Sequence, residues 1–174
     1  MQGSRRSFLA SVVVGGAAAG GAALLWRLPS PASAGPPDDA PAGDVSFALT
    51  DAQWRARLSP AQYYILRQHG TERPHTSPLD KERRAGTFRC AGCDGPLFAS
   101  ETKFDSRTGW PSFWQPLDGA VGTSLDTGYG MVRTEVHCRR CAGHLGHVFN
   151  DGPPPTGLRY CINGVALVFA PAQA

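Results

Sequence analysis

The chain has 174 residues, 41% of them hydrophobic, which is enough for one packed domain and an extension. Its 21 glycines and 15 prolines demand many turns and favour a loop-rich β protein over a helical bundle. The net charge of +3 comes from Arg5, Arg6 and Arg27; from Gly35 onward 14 basic and 14 acidic side chains cancel, which excludes the electrostatic footprint of a nucleic-acid-binding protein.

Ser4-Arg5-Arg6-Ser7-Phe8-Leu9 places an arginine pair directly before an uncharged run from Leu9 to Leu25, and Ala32-Ser33-Ala34 supplies small residues for cleavage. The plan is that of a signal peptide, and the paired arginines resemble a twin-arginine export signal. A permanent anchor is the competing reading, since about 17 apolar residues nearly span a bilayer. The run is rich in Gly and Ala and therefore weakly hydrophobic, so residues 1–34 are expected to be removed on export to a periplasmic or other extracytoplasmic space. Membrane contact is then confined to export. The twin-arginine route carries folded proteins, which lets thiolates take up metal before an oxidising compartment can pair them as disulfides.

Residues 35–48 form a Pro-rich linker, and a domain follows over 49–170. Thr50-Asp51 can cap a short helix reaching Leu58. Ser59-Pro60 marks a second, carrying Tyr63, Tyr64, Ile65 and Leu66 and stopping at Gly70. From Gly86 the texture predicts strands at Thr87–Arg89, Leu97–Ala99, Val121–Leu125, Met131–His137, His144–Phe149, Leu158–Ile162 and Val165–Phe169. The continuous apolar run of the last is expected deep in the core.

Four of the five cysteines, Cys90, Cys93, Cys138 and Cys141, fall into two Cys-x-x-Cys pairs 44 residues apart. Two such knuckles deliver four thiolates in a tetrahedron, and with every position filled by protein the ion is structural. Zinc is the first reading, four-thiolate iron the lesser one, and two disulfides the metal-free alternative. Ala91-Gly92 and Ala142-Gly143 are the small residues available to the two turns.

Cys161 is the thiol left over, in Arg159-Tyr160-Cys161-Ile162-Asn163. A single free thiol with histidines elsewhere is a candidate nucleophile, set against an inert buried cysteine. In His144-Leu145-Gly146-His147 the histidines are three apart, on opposite faces of a regular strand. They share a site only if the backbone around Gly146 re-aims one, and proton transfer beside a thiol suits them better than metal binding. Trp110, between Gly109 and Pro111, is placed to offer an indole wall to a methyl or thioether group.

These segments occur in one order: the first knuckle, Lys103-Phe104-Asp105-Ser106, Gly109-Trp110-Pro111-Ser112-Phe113, the second knuckle, His144 to Pro153, and Arg159 to Asn163, with Thr71-Glu72-Arg73-Pro74 ahead of them all. The series resembles the B-type methionine-R-sulfoxide reductases over roughly Leu49 to Phe169. The resemblance implies two antiparallel sheets with short N-terminal helices, one structural zinc distant from the reacting cysteine, and the R epimer of methionine sulfoxide in a polypeptide as substrate. It implies Cys161 as nucleophile, passing through a sulfenic acid, and Trp110 packed on the S-methyl group. His144, His147 and Asn163 would hold and protonate the sulfoxide oxygen. Arg159 would favour the thiolate by its charge, and Asp151 would orient the histidines at the substrate site.

One departure from the family pattern matters. Many members carry a recycling cysteine directly before Gly-Trp-Pro; here that position is Thr108, and no cysteine remains outside the knuckles and Cys161. The expectation is a one-cysteine enzyme whose sulfenic acid is reduced by a thioredoxin-like protein or a small thiol. A non-catalytic zinc-ribbon binding module and a Cys161 thiol peroxidase or redox sensor are the alternatives. No self-association motif is visible, so a monomer is expected.

Overall fold

The structure is a computed structural model and describes residues 47–173. The expected signal peptide and nearly all of the linker lie outside the described residues. Among those described, no helix is long and apolar enough to cross a membrane.

Two short helices open the domain, α1 (Asp51–Arg57) and α2 (Pro60–Gln68). Each begins with a reciprocal capping box, Thr50 with Gln53 and Ser59 with Gln62, which satisfies amide groups that the first turn leaves unpaired. The left-handed cap of α2 stands one residue before the predicted stop at Gly70. His69 takes the left-handed position at φ 54°, and the Tyr64 ring fills the space where a Gly70 Cβ would stand. Tyr63, Ile65 and Leu66 face inward.

Nine strands follow: β1 (Gly86–Cys90), β2 (Pro96–Ala99), β3 (Lys103–Phe104), β4 (Ser112–Phe113), β5 (Val121–Asp126), β6 (Arg133–Cys138), β7 (His144–Phe149), β8 (Arg159–Ile162) and β9 (Leu167–Pro171). They form two antiparallel sheets, a small one ordered β2-β1-β9 and a large one ordered β3-β4-β8-β7-β6-β5. This is the mainly-β, two-sheet architecture with short N-terminal helices that the sequence predicts. Strands β3 and β4 have two residues each, too short to leave a period in the sequence.

The final strand corrects an expectation. Gly164–Ala166 form a 3-10 turn, and β9 starts only at Leu167. It is an edge strand, so its residues alternate: Leu167 is buried and Val168 is 46% exposed. An apolar run read as a buried strand is here half turn and half edge.

The sheets meet through aromatic rings. Phe88 of β1 and Phe98 of β2 reach across to Phe113 of β4, edge-on at 4.9 Å and stacked at 4.3 Å between ring centroids. All three are fully buried, beside Leu97, Val136, Leu145 and Ile162. Burial of such rings dominates the core's contribution to stability.

Pairing of β6 with β7 contains the irregularity that shapes the rest. Val136 opposes Gly146, but His137 opposes His144, so Leu145 is the extra residue of a β-bulge. Gly146 sits where β7 presses on β8: a Cβ there would lie 2.1 Å from the Cys161 carbonyl oxygen. Gly146→Ala must therefore push β8 away. The expected outcome is a stability loss of about 1–3 kcal/mol in urea unfolding, with the Cys161 amide among the most shifted in an NMR spectrum.

Candidate active site and metal centre

The two knuckles have the same backbone. Cys90 N–H donates to Gly95 O and Asp94 N–H to Cys90 O; Cys138 N–H donates to Gly143 O and Ala142 N–H to Cys138 O. The residue just after each second cysteine, Asp94 or Ala142, is left-handed at φ 59° or 53°. Glycine comes next because a Cβ would crowd sulfur, 3.4 Å from Cys93 Sγ at Gly95 and 3.3 Å from Cys141 Sγ at Gly143. At the first knuckle the small residues Ala91 and Gly92 lie in the turn itself, inside the loop closed by the Asp94 N–H on Cys90 O.

The four buried Sγ atoms lie within 4.8 Å of one another, with Cys90–Cys141 at 3.7 Å and Cys93–Cys138 at 3.6 Å. No disulfide is formed. A tetrahedron with Zn–S bonds of about 2.3 Å has edges of about 3.8 Å, so the cluster fits zinc. It joins the end of β1 in one sheet to the end of β6 in the other. The helices are fastened to it by Arg57 on Gly92 O and Arg67 on Cys141 O.

Cys161 belongs to a different part of the large sheet. Ser112, Cys161, His147, Glu135 and Ser124 are direct cross-strand partners on five successive strands. In register, they project from one face, while Phe113, Tyr160, Ile162 and Val136 fill the core on the other. The bulge returns His144 to the same face as His147, with ring centroids 5.4 Å apart. Cys161 stands three residues along and two strands across from Cys138, roughly 14 Å away.

Cys161 opens into a cavity of about 140 Å³ shared with Thr71, Trp110, Arg133, His147, Phe149 and Asn163. Trp110 donates through Nε1 to Glu72 O at 3.2 Å. Glu72, buried, also donates its N–H to Asn163 Oδ1 and accepts from Gly164 N and Val165 N at 2.6 and 2.9 Å. One residue thus ties the indole, Asn163 and the turn after β8 together. Asn163 Nδ2 donates to Leu145 O, leaving its second hydrogen for the cavity.

Carboxylates stand behind both imidazoles. Asp126 Oδ2 is 2.7 Å from His147 Nε2, and Glu135 Oε1 is 2.7 Å from His144 Nδ1 and 3.0 Å from His69 Nδ1. The pKa of Asp126 is pulled down to about 2 by the Gly128 N–H and the His147 hydrogen bond. Burial works to raise that of Glu135, but hydrogen bonds from His144 and Ser124 outweigh it and hold it at about 2. Both are therefore ionised at neutral pH, so the bonded imidazole nitrogens carry the protons. His147 Nδ1 and His144 Nε2 are left to accept a proton, and His144 Nε2 is buried without a partner. Burial also lowers the pKa of His147, against the pull of Asp126. His69, Glu135 and His144 could together offer a metal three ligand atoms, but their hydrogen bonds already pair all three, an arrangement that orients His144.

Asp151 was expected at the substrate site, orienting the histidines. It forms a two-pronged ion pair with Arg159, both bonds 2.8 Å. The charge of Arg159 does act on Cys161, as does the Thr108 hydroxyl at 3.9 Å from Sγ, and both favour the thiolate. Burial is the larger effect and pushes the Cys161 thiol above its ordinary value. The sequence reading missed Glu72, Asp126 and Glu135. Only Glu72 carried a signal, its place in the Thr71–Pro74 segment.

An acid with a raised pKa gives up its proton only at higher pH. Alkylation of Cys161 by iodoacetamide, followed by peptide mass spectrometry on the metal-loaded protein, should reach half its maximal rate at a pH above 9.0, the ordinary thiol value. Arg159→Met removes the charge that favours thiolate and should slow alkylation at pH 8 about tenfold.

A SelR domain matches residues 58–171. The peptide methionine sulfoxide reductase MsrB of Agrobacterium fabrum (strain C58) is 60% identical over 123 residues, covering 70% of this chain and 91% of that protein. The MsrB of Thiobacillus denitrificans is 61% identical over 123 residues, covering 70% and 93%. That of Pseudomonas putida (strain W619) is 60% identical over 120 residues, covering 68% and 90%. With that identity over the whole domain that bears the knuckles and the Cys161 row, the chain belongs to the MsrB family of peptide methionine sulfoxide reductases.

Proposed function

We propose that the protein reduces the R epimer of methionine sulfoxide in polypeptides through Cys161, with one structural zinc held by Cys90, Cys93, Cys138 and Cys141. The observation that carries this reading is the cavity in which the Cys161 thiol, the Trp110 indole, His147 and Asn163 converge.

The substrate's S-methyl group packs on Trp110, and its oxygen faces the imidazoles and the free Asn163 N–H. Because burial keeps Cys161 protonated, the thiol proton moves first to the free nitrogen of His147, the imidazole that lines the Cys161 cavity. The thiolate attacks the sulfoxide sulfur and the same proton is returned to the oxygen. The S–O bond then breaks, oxygen passes to Cys161 as a sulfenic acid, and methionine leaves: thiol and sulfoxide become sulfenic acid and thioether, in balance. Arg159, fixed by Asp151, supports the anionic sulfur. An outside thiol attacks the sulfenic acid and releases water, and a second thiol completes the reduction. The donor is a thioredoxin-like protein or a small thiol, because Thr108 fills the recycling position beside Sγ.

Single-turnover mass spectrometry without reductant tests this. One methionine per enzyme from the R epimer alone, with the oxygen trapped on Cys161 by dimedone, is expected. Cys161→Ser should form none while retaining one zinc per chain by metal analysis. Thr108→Cys should replace the trapped sulfenic acid with a disulfide between positions 108 and 161. No methionine from either epimer, with zinc bound, would make the chain a binding module.

The reading extends to export by the twin-arginine route, supported by Arg5-Arg6 and the apolar run after them. The exported protein should begin at Gly35 and stay in the cytoplasm when Arg5 and Arg6 are both changed to Lys. Edman sequencing and fractionation decide it.

A further inference from the structure

Beside the Cys161 cavity lies a second and larger one, of about 420 Å³, that the chemistry above does not fill. The two share Thr71, Arg133 and His147 on their walls. The smaller volume suits a single methionine side chain; the larger has no such occupant. Its outer wall is the turn between β5 and β6, contributing Leu125 and Tyr129.

That turn is apolar where a solvated hairpin tip is ordinarily polar. Six large hydrophobic side chains are conspicuously exposed among the described residues, and four lie within residues 125–132: Leu125 at 72%, Tyr129 at 88%, Met131 at 48% and Val132 at 78%. Scattered exposed apolar residues need no explanation, but a cluster at the rim of a functional cavity marks a recognition surface. The inner wall of the cavity is polar, with His69, Glu135 and His144 beside Arg133 and Asp126, which pair at 2.6 Å, so the apolar contacts lie on the outer wall, at Leu125 and Tyr129.

We propose that the β5–β6 turn, on the outer wall of the larger cavity, forms a polypeptide subsite that takes apolar or aromatic residues flanking the oxidised methionine. The occupant is the substrate chain itself. It follows from continuity: a peptide whose sulfoxide lies at Cys161 must leave past the shared wall of Thr71, Arg133 and His147, and the adjoining surface is this one. Leu125 closes the groove at the free edge of the large sheet, and Tyr129 stands at its tip. Free methionine sulfoxide fills only the inner cavity and gains nothing from the turn.

The inference rests on the reductase reading, and its test keeps the two apart. The probes are the amino acid methionine sulfoxide, a pentapeptide with leucine and phenylalanine beside the sulfoxide, and its glycine-serine counterpart. The wild-type zinc-loaded protein should prefer the apolar peptide through KM. Leu125→Thr with Tyr129→Asn, which keeps a strand former and a residue at home in the left-handed region (Tyr129 has φ 57°), should lower kcat/KM for that peptide about five- to tenfold. Turnover of the free amino acid should not change. A preference that survives the double substitution, or equal losses on all three substrates, would overturn the subsite. Sedimentation equilibrium covers the other use of such a patch: a dimer that the substitutions dissociate, with equal losses on all substrates, makes it a contact between two copies. Binding of the apolar peptide to Cys161→Ser, by fluorescence anisotropy, reports the subsite with no turnover. If wild type reduces no sulfoxide yet this binding is lost in the double variant, the reductase reading fails and the subsite stands.

Discussion

The arrangement of the site depends on a steric constraint between β7 and β8. At Gly146 the two backbones approach so closely that a methyl group would overlap the Cys161 carbonyl. The bulge at Leu145 accommodates that approach and resets the alternation of β7 by one residue. Without it His144 would point into the core with Val136 and Ile162, carrying an unpaired ring into an apolar layer. With it, His144 and His147 stand on the thiol's face and each meets a carboxylate. A single inserted residue thus supplies both the second imidazole and the close contact that seats the nucleophile's strand.

The charges on this face are arranged in depth. The carboxylates of Asp126 and Glu135 sit behind the imidazoles, on the side away from Cys161 along the cross-strand row. Each fixes a ring by claiming one nitrogen and leaves the other to exchange protons. Arg159 and Asp151 form a second pair on the opposite flank, and the thiol between them is governed chiefly by its burial. A buried neutral thiol resists stray alkylation and oxidation, because only the thiolate reacts. On the mechanism proposed above, substrate binding has to bring the proton acceptor into play.

The sequence disclosed elements wherever local chemistry sets them. The capping boxes at Thr50 and Ser59, the two Cys-x-x-Cys turns and the strand from His144 to Phe149 are written in contiguous residues. The helix stop was misplaced by one residue because His69, with no compositional signal, adopts the left-handed cap. Val165–Phe169 misled because an unbroken apolar run does not distinguish a central strand from a turn joined to an edge. Glu135 and Asp126 were invisible as site residues for a topological reason. Their partners lie 9 and 21 positions away, and only strand register brings them together. Asp151, whose role came from the family resemblance, pairs with Arg159 eight positions on.

The metal cluster and the thiol face divide the work of the large sheet. The four thiolates tie the far ends of β1 and β6 to each other and, through Arg57 and Arg67, to the helices. The other end of the sheet is left to carry the cavities and an exposed turn. Local opening in a folded domain is drawn from regions with few buried contacts, and here the anchored end and the recognition end are separated by strands that run between them. Cys161 lies midway, on a strand flanked on both sides by others, so its position follows the rigid part. The turn from Leu125 to Val132 hangs from the free edge, so on the proposal above it can adjust to different polypeptides without moving Cys161. A reductase that must accept methionine in many sequence contexts needs its sulfur held still and its peptide contacts soft, and this distribution of anchors separates the two.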